Sequence, residues 1–555
     1  MIEILSGFFL HPGTFLIACY LLIHLVKGVI RKSLLFVVPI IAFIILFISD
    51  TIEINVFYVS AAFLLVLLCG VIFAYTGSNA DKKNAHLALL YFGAAISLIM
   101  TNNVFIIFVF FEVMLVAGTL MIFNGNNKLS SSAGAAYFKF HILAGTLFLI
   151  GAMAHYTEYG DFNIMLHNFS DFTVGRKQLI SLAILISLLI NIAIPPCSYW
   201  LVEGYAATTP GGSVFLSVVN TKVSMFLIAK LFLGQYYLLY VGIFMSIYGL
   251  IYAALESNMR RVINFSIISQ IGIILIAISL GGDSGFDAAM FMIISEIIYV
   301  AFAMMCVSAV TLSLHSKRYF QIGNNANKLK FIMLCSIVAF SSISSIPLTP
   351  GYVGKYLLYQ HEYVLANQWL KYVISGLTAA ITFAVGMKLI VFIFIQKNHQ
   401  QDNTHMHLSR TSDLRKIPLA ILLCTTFLLG MFPQILSYKK IVFFDALFWG
   451  QISMIVGVAM SFLLLGKFLI VRQKHMLLDL DWVYRFMLMR IYLIIKRSII
   501  FMNDKVIEKK DLFSKKSAVF IEGYFNIESP IVSIKSQKNV ILVIICILIA
   551  LIIKI

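Results

Sequence analysis

The sequence predicts an all-α polytopic membrane protein with about 14–16 transmembrane helices. Three observations carry that prediction. Of 555 residues, 61% are hydrophobic and only 12% charged, about half the charged share of a soluble domain. Apolar runs long enough to cross a bilayer as a helix recur from one end of the chain to the other. Basic residues gather in short polar stretches between them, as in KGVIRK (27–32) and SDLRK (412–416), where they would hold cytoplasmic helix ends.

In order, residues 1–80 read as N-terminal transmembrane helices, with apolar runs near 13–30, 34–49 and 55–76. The first of these lacks the basic start and small-residue cleavage site of a secretory signal. Residues 81–400 form the core, with runs near 85–101, 103–123, 135–155, 178–195, 213–233, 236–255, 262–281, 287–314, 330–346, 352–365 and 371–396. Residues 401–471 add further helices near 417–435 and 445–471. Segment 472–538 mixes charge with large apolar residues at helical spacing, which suits an amphipathic strap along the bundle or the membrane surface. The last run, 539–555, is long enough to serve as a terminal transmembrane helix.

Composition excludes several function classes. The formal net charge of +17 is accounted for by loop lysines and arginines, so no nucleic-acid partner is expected. The seven cysteines stand singly, which gives neither a disulfide framework nor a zinc or iron–sulfur set. No nucleophile, phosphate-loop or dinucleotide motif is present, so no cofactor is expected. A metal site in the His-rich stretch HQQDNTHMH (399–407) is outweighed by a solvated turn. Whether the chain is an enzyme is left open, because any translocase activity would belong to a larger complex.

What remains is charge inside apolar runs, where each ionisable group costs about 2.5–3.5 kcal/mol on insertion scales and needs a partner or a use. The candidates are Glu112, Lys139, His141, Lys222, Lys230, Arg260, Arg261, Glu296, Lys355 and Lys388. Lys230 and Lys388 read as lysines that snorkel from helix ends. Two apolar stretches are interrupted by Pro and Gly and end in lysine: IPPCSYWLVEGYAATTPGGSVFLSVVNTK (194–222) and SISSIPLTPGYVGK (342–355). Paired interrupted helices point to an ion site in a repeat-built transporter. Glu112 is the expected counterion of Lys222. A carboxylate and an ammonium whose separation varies change each other's proton affinity, which is what a proton relay needs.

At these residues the chain resembles the antiporter-like membrane subunits shared by respiratory complex I and Mrp-type Na+/H+ antiporters. FFEVMLVAGTLMI (110–122), PPCSYWLVEGYAATTPGGSVFLSVVNTK, ALESNMRRVINFSIISQIG (254–272) and IPLTPGYVGK carry the resemblance, over roughly residues 60–400. GGSVFLSVVNTK and LDLDWVYR (478–485) are most similar to the D-type subunit of the antiporters.

The resemblance implies two inverted five-helix repeats, each a half-channel. Glu112 and Lys222 would serve the first, Arg260 the crossing and Lys355 the second, with Gln270 as an accessory position. It also implies partner membrane subunits, protons and Na+ as the ions, and a bacterial inner-membrane location. Where the family commonly has a His and a Lys four residues apart, this chain has Glu296 and Val300. Glu296 is therefore expected to pair with Lys355. The functional expectation is a proton-conducting subunit of a cation/proton antiporter. The alternatives are a membrane-arm subunit of NADH-quinone oxidoreductase or a related hydrogenase, and a non-conducting scaffold of such a complex. An enzyme acting on lipid-linked substrates is disfavoured, since no charged surface loop suits it.

Overall fold

The computed structural model describes residues 11–23, 25–26, 28–49, 52–164, 175–319, 322, 329–395, 413–436, 446–469 and 490. The His-rich stretch 399–407, most of the amphipathic segment and the terminal run lie outside them. Contacts divide the chain into two units, Met1–Ile194 with Ser198–His475, and Pro195–Cys197 with Met476–Ile555. The helical bundle belongs to the first unit; in the second, residues 195–197 form a turn and Arg490 is helical.

The described residues contain no named strand; helices account for the architecture, as the sequence predicts. Before the core come α1 (Pro12–Ile23), α2 (Gly28–Ile48) and α3 (Ile54–Tyr75). The next group is α4 (Asn79–Met100), α5 (Val104–Phe123), α6 (Lys128–Tyr159) and α7 (Arg176–Asn191). Three pieces come after it, α8 (Tyr199–Ala207), α9 (Pro210–Val218) and α10 (Asn220–Leu231). The second half holds α11 (Tyr237–Leu255), α12 (Met259–Leu280), α13 (Gly282–Leu314), α14 (Lys330–Ile343), α15 (Pro350–Tyr359), α16 (Glu362–Ala366) and α17 (Gln368–Ile381). The last of these runs on through π-helical turns Thr382–Met387 and Val391–Ile395, with one α-turn, Lys388–Ile390, between them. Finally come α18 (Asp413–Met431) and α19 (Ala446–Leu469). Eleven helical spans among the described residues, with α9–α10 counted as one and α17 counted with its continuation to Ile395, are long and apolar enough to cross a membrane, and four shorter apolar helices accompany them.

Local sequence sets the helix ends. Ser78 and Asp81 form a capping box at α4, and the side chains of Asn103, Thr209 and Asn258 cap α5, α9 and α12. Pro210 and Pro350 stand in the first turns of α9 and α15, where a missing N–H costs nothing. α12 and α13 are buried along their whole apolar windows, whereas α2 is mostly exposed. The core of the bundle is thus α12 and α13, and the remaining exposed apolar surface suits lipid or other membrane helices.

An internal repeat is visible in the backbone. Asn103, before α5, bridges to Asn163 after α6; Asn258, before α12, bridges to Arg318 after α13, with the same chain spacing. The third helix of each set ends in the same way. After α7, Ile192, Ala193 and Ile194 donate to the carbonyls of Leu188, Ile190 and Leu189; after α14, Ser344, Ser345 and Ile346 donate to those of Phe340, Ser342 and Ser341. Ala193 and Ser345 both adopt positive φ, 62° and 54°. The break before Lys355 therefore matches the one at 192–194, rather than the Pro-Gly step before Lys222. Proline drives both, since the residues of IPP and IPL cannot continue a helix.

Candidate functional site

Lys222 lies on α10, and its Nζ is 3.0 Å from Glu296 Oε1 on α13, with both side chains fully buried. This corrects the expected partnership on both sides. Glu112 is not the ion partner of Lys222; its Oε1 lies against Gly145 of α6, where a side-chain carbon would collide with it. Glu296 is given to Lys222 rather than to Lys355. The Nζ of Lys355, on α15, has no hydrogen-bond partner among the described residues, nor does the second carboxylate oxygen of Glu296.

Two residues before Lys222, Asn220 is held from the other side. Its Nδ2 donates to His141 Nε2 at 2.8 Å and to the carbonyl of Asn191 at 3.1 Å. His141 Nδ1 stands 2.8 Å from the Tyr137 carbonyl. With the amide donating to Nε2, the proton on the ring belongs to Nδ1 and goes to that carbonyl. The imidazole stacks on Tyr137 at 3.9 Å and meets the edge of Trp200 at 4.4 Å. His141 and Glu296 stand at the same distance along the chain from Asn103 and Asn258, the first residues of the two backbone bridges. Repeat-equivalent positions thus grip neighbouring residues of one helix, α10.

The remaining predicted residues are dispersed. Arg260, expected at the crossing, is held at the first interruption. It sits in the first turn of α12, and its Nη1 donates to the Thr208 carbonyl at 3.1 Å. There it meets the carbonyl end of α8, while Asp81 Oδ1 accepts the Gly211 N–H at 2.7 Å at the start of α9. Each dipole end at this interruption therefore has a compensating charge. Asn84 ties the same place to α5, donating to Thr209 Oγ1 at 2.8 Å and to the Met121 carbonyl at 3.3 Å.

Arg261 is paired at the bundle edge with Glu256 and Glu203, at 2.9 and 3.1 Å. Gln270 donates to the Ile343 carbonyl, at the end of α14. Lys139 is exposed on the outer face of α6. Lys230 reaches Asn102 Oδ1 at 2.8 Å near the end of α10, as a snorkelling lysine would. Lys388 does not snorkel: it is fully buried. Sequence reasoning missed Asn220, Asn191 and Asp81. The S-x-x-D capping pattern at 78–81 signals Asp81; nothing local marks the two asparagines as partners of His141. Among the described residues no cluster of His, Cys, Asp and Glu could hold a metal ion.

Fold and site together define a multi-pass membrane protein with ionisable groups buried at the junction of two structural repeats. A family model described as NADH:quinone oxidoreductase/Mrp antiporter, TM, matches residues 101–382. That is just over half of the chain, and the chain belongs to this family. It is 26% identical over 320 residues to NADH-quinone oxidoreductase subunit M of Rickettsia bellii, an alignment spanning 55% of this chain and 64% of that protein. It is 26% identical over 244 residues to subunit L of Escherichia coli, across 42% of this chain and 38% of the relative. Among solved structures, one chain of the Mrp complex from Dietzia sp. DQ12-45-1b superposes with a TM-score of 0.68. That match covers 82% of this chain and 97% of the other at 19% identity, a likeness of fold.

Proposed function

We propose that this chain is a bacterial inner-membrane subunit of a multisubunit cation/proton antiporter, and that it passes protons along its buried polar residues. The observation that carries the reading is the Lys222–Glu296 pair. Two opposite charges are held with no solvent contact where the repeats meet, and such a placement needs a use as well as a partner. In the proposed order a proton passes from Glu112 along α6 to the His141–Asn220 contact, then to Lys222 and Glu296, with Lys355 beyond. Arg260 serves this path by holding the interruption between α8 and α9. Other membrane subunits are the proposed partners, and Na+ is the proposed exchanged cation.

Lys222→Ala should abolish cation/proton exchange in everted vesicles while the complex still assembles. Normal exchange in that variant rejects the reading. A respiratory-arm role is supported by the names of the two curated relatives reported above, both NADH-quinone oxidoreductase subunits. Affinity purification decides between the two: antiporter subunits as companions favour the first, and iron–sulfur or flavin subunits favour the second.

A further inference from the structure

The ammonium of Lys388 is enclosed by backbone. Its Nζ donates to the carbonyls of Ala253 and Ala254 at 2.8 Å each and of Glu256 at 2.6 Å. The ring of Tyr319 lies over it at 4.9 Å. The three oxygens belong to the end of α11, where unsatisfied carbonyls and the negative end of the helix dipole favour a cation. The Glu256 carboxylate is turned elsewhere. It accepts the N–H groups of Ser257 and Asn258 at 2.7 and 2.8 Å and pairs with Arg261.

A second feature converges on the same residue. Lys388 sits on a single α-turn between two π-helical turns. Such turns are rare and cluster at functional positions. The π-helical turn before it leans on the second interruption. Thr382 Oγ1 donates to the Ser344 carbonyl at 3.2 Å, and Gly386 packs so closely on Ser344 Oγ that an added Cβ would displace that hydroxyl. On its other side the cradle continues directly into α12. Asn258 Oδ1 accepts the Arg260 N–H at 3.1 Å, and the Arg260 guanidinium reaches Thr208 at the first interruption.

We propose that Lys388 is a positioning residue that sets Arg260, and through it the α8–α9 interruption, from the π-helical segment packed on the second interruption. The assignment rests on the proton-transfer reading above and adds to it a mechanical connection between the two repeats. Lys388 acts through Arg260; it holds no proton of the path itself. The connection is contiguous: Ser344 to Thr382 and Gly386, Lys388 to the α11 carbonyls, then Asn258, Arg260 and Thr208. A cation held by three carbonyls on one helix end keeps that end fixed in direction as well as position, which a hydrophobic side chain of similar volume would not do.

The test uses the assembled complex in everted vesicles, with hydrogen exchange of the purified complex as a second readout. Lys388→Met should lower exchange at least tenfold without loss of subunits, and should speed amide exchange in residues 208–213. Arg260→Gln should speed the same segment, and the double variant should fall no lower than the worse single one, as expected when one residue acts through the other. Should Lys388→Met fail to assemble, Tyr319→Leu removes only the ring and should give a smaller loss, roughly threefold, with the same segment affected. Wild-type exchange in these variants, unchanged protection at 208–213, or losses that multiply would overturn the assignment. Lys222→Ala separates the two ideas. If that variant is inactive while Lys388→Met is normal, the positioning role alone fails; if Lys222→Ala exchanges normally, the proton path fails.

Discussion

Lys222 Nζ and Glu296 Oε1 stand 3.0 Å apart, and neither side chain touches solvent. The pair joins a helix of the first repeat's end, α10, to the central helix of the second, α13. Removing one member leaves the other charge buried alone, which costs about 3–5 kcal/mol. Glu296→Gln should therefore lower the thermal stability of the purified complex markedly. Lys222→Met combined with Glu296→Met should recover most of that stability and remain inactive in exchange. A double variant as unstable as Glu296→Gln would argue against a net electrostatic penalty.

His141 and Asn220 offer a milder lesion. His141→Leu leaves one N–H of the Asn220 amide without its acceptor, while the other keeps the Asn191 carbonyl, at a cost of about 1–3 kcal/mol for an unsatisfied buried donor. Asn220→Leu removes a donor and leaves the imidazole Nε2 without its partner. Each should reduce exchange, and the double variant should be no worse than either single one. Rates from vesicle assays on the three variants decide it, since additive losses would mean that the contact is incidental.

Gly145 and Gly376 form an opposed pair of glycine-to-alanine tests. At Gly145 a methyl group would displace the Glu112 carboxylate, so Gly145→Ala should depress exchange. At Gly376, within α17, a methyl group meets nothing within 4 Å, so Gly376→Ala should stabilise the helix by about 0.5–1 kcal/mol. Exchange rates and melting temperatures of both variants check the pair, and equal behaviour would contradict the packing described.

Asp81 is predicted to matter for assembly more than for the path. Its two oxygens cap α4 and receive the Gly211 N–H at the start of α9. Asp81→Ala removes both contacts and a charge favoured at a helix start, a loss of about 1–2 kcal/mol. Proteolysis near residues 208–211 should become faster in that variant.

Much of this molecule was legible in the chain. Hydrophobic runs announced the helices, and proline with glycine their interruptions, because each depends on residues a few positions apart. The buried ionisable groups were also largely readable, since an isolated charge in an apolar run is visible in one dimension. Lys139 shows the limit: it lies two residues from His141, yet one points to the outer face and the other to the core. Lys388 was misread for a related reason. A lysine near a helix end can usually reach water, but here the π-helical turns and the end of α11 enclose it.

The sequence by itself determined that this is a multi-pass helical membrane protein with carboxylates, lysines and a histidine buried in its core. Tertiary structure alone decided the partnerships: Glu296 with Lys222, Glu112 against Gly145, Arg260 on Thr208, and Lys388 in the carbonyls of α11. The reason is physical. A helix and its charges are specified by neighbours in sequence, whereas an ion pair depends on which helices lie side by side and on their rotation, which the packing of the whole bundle sets.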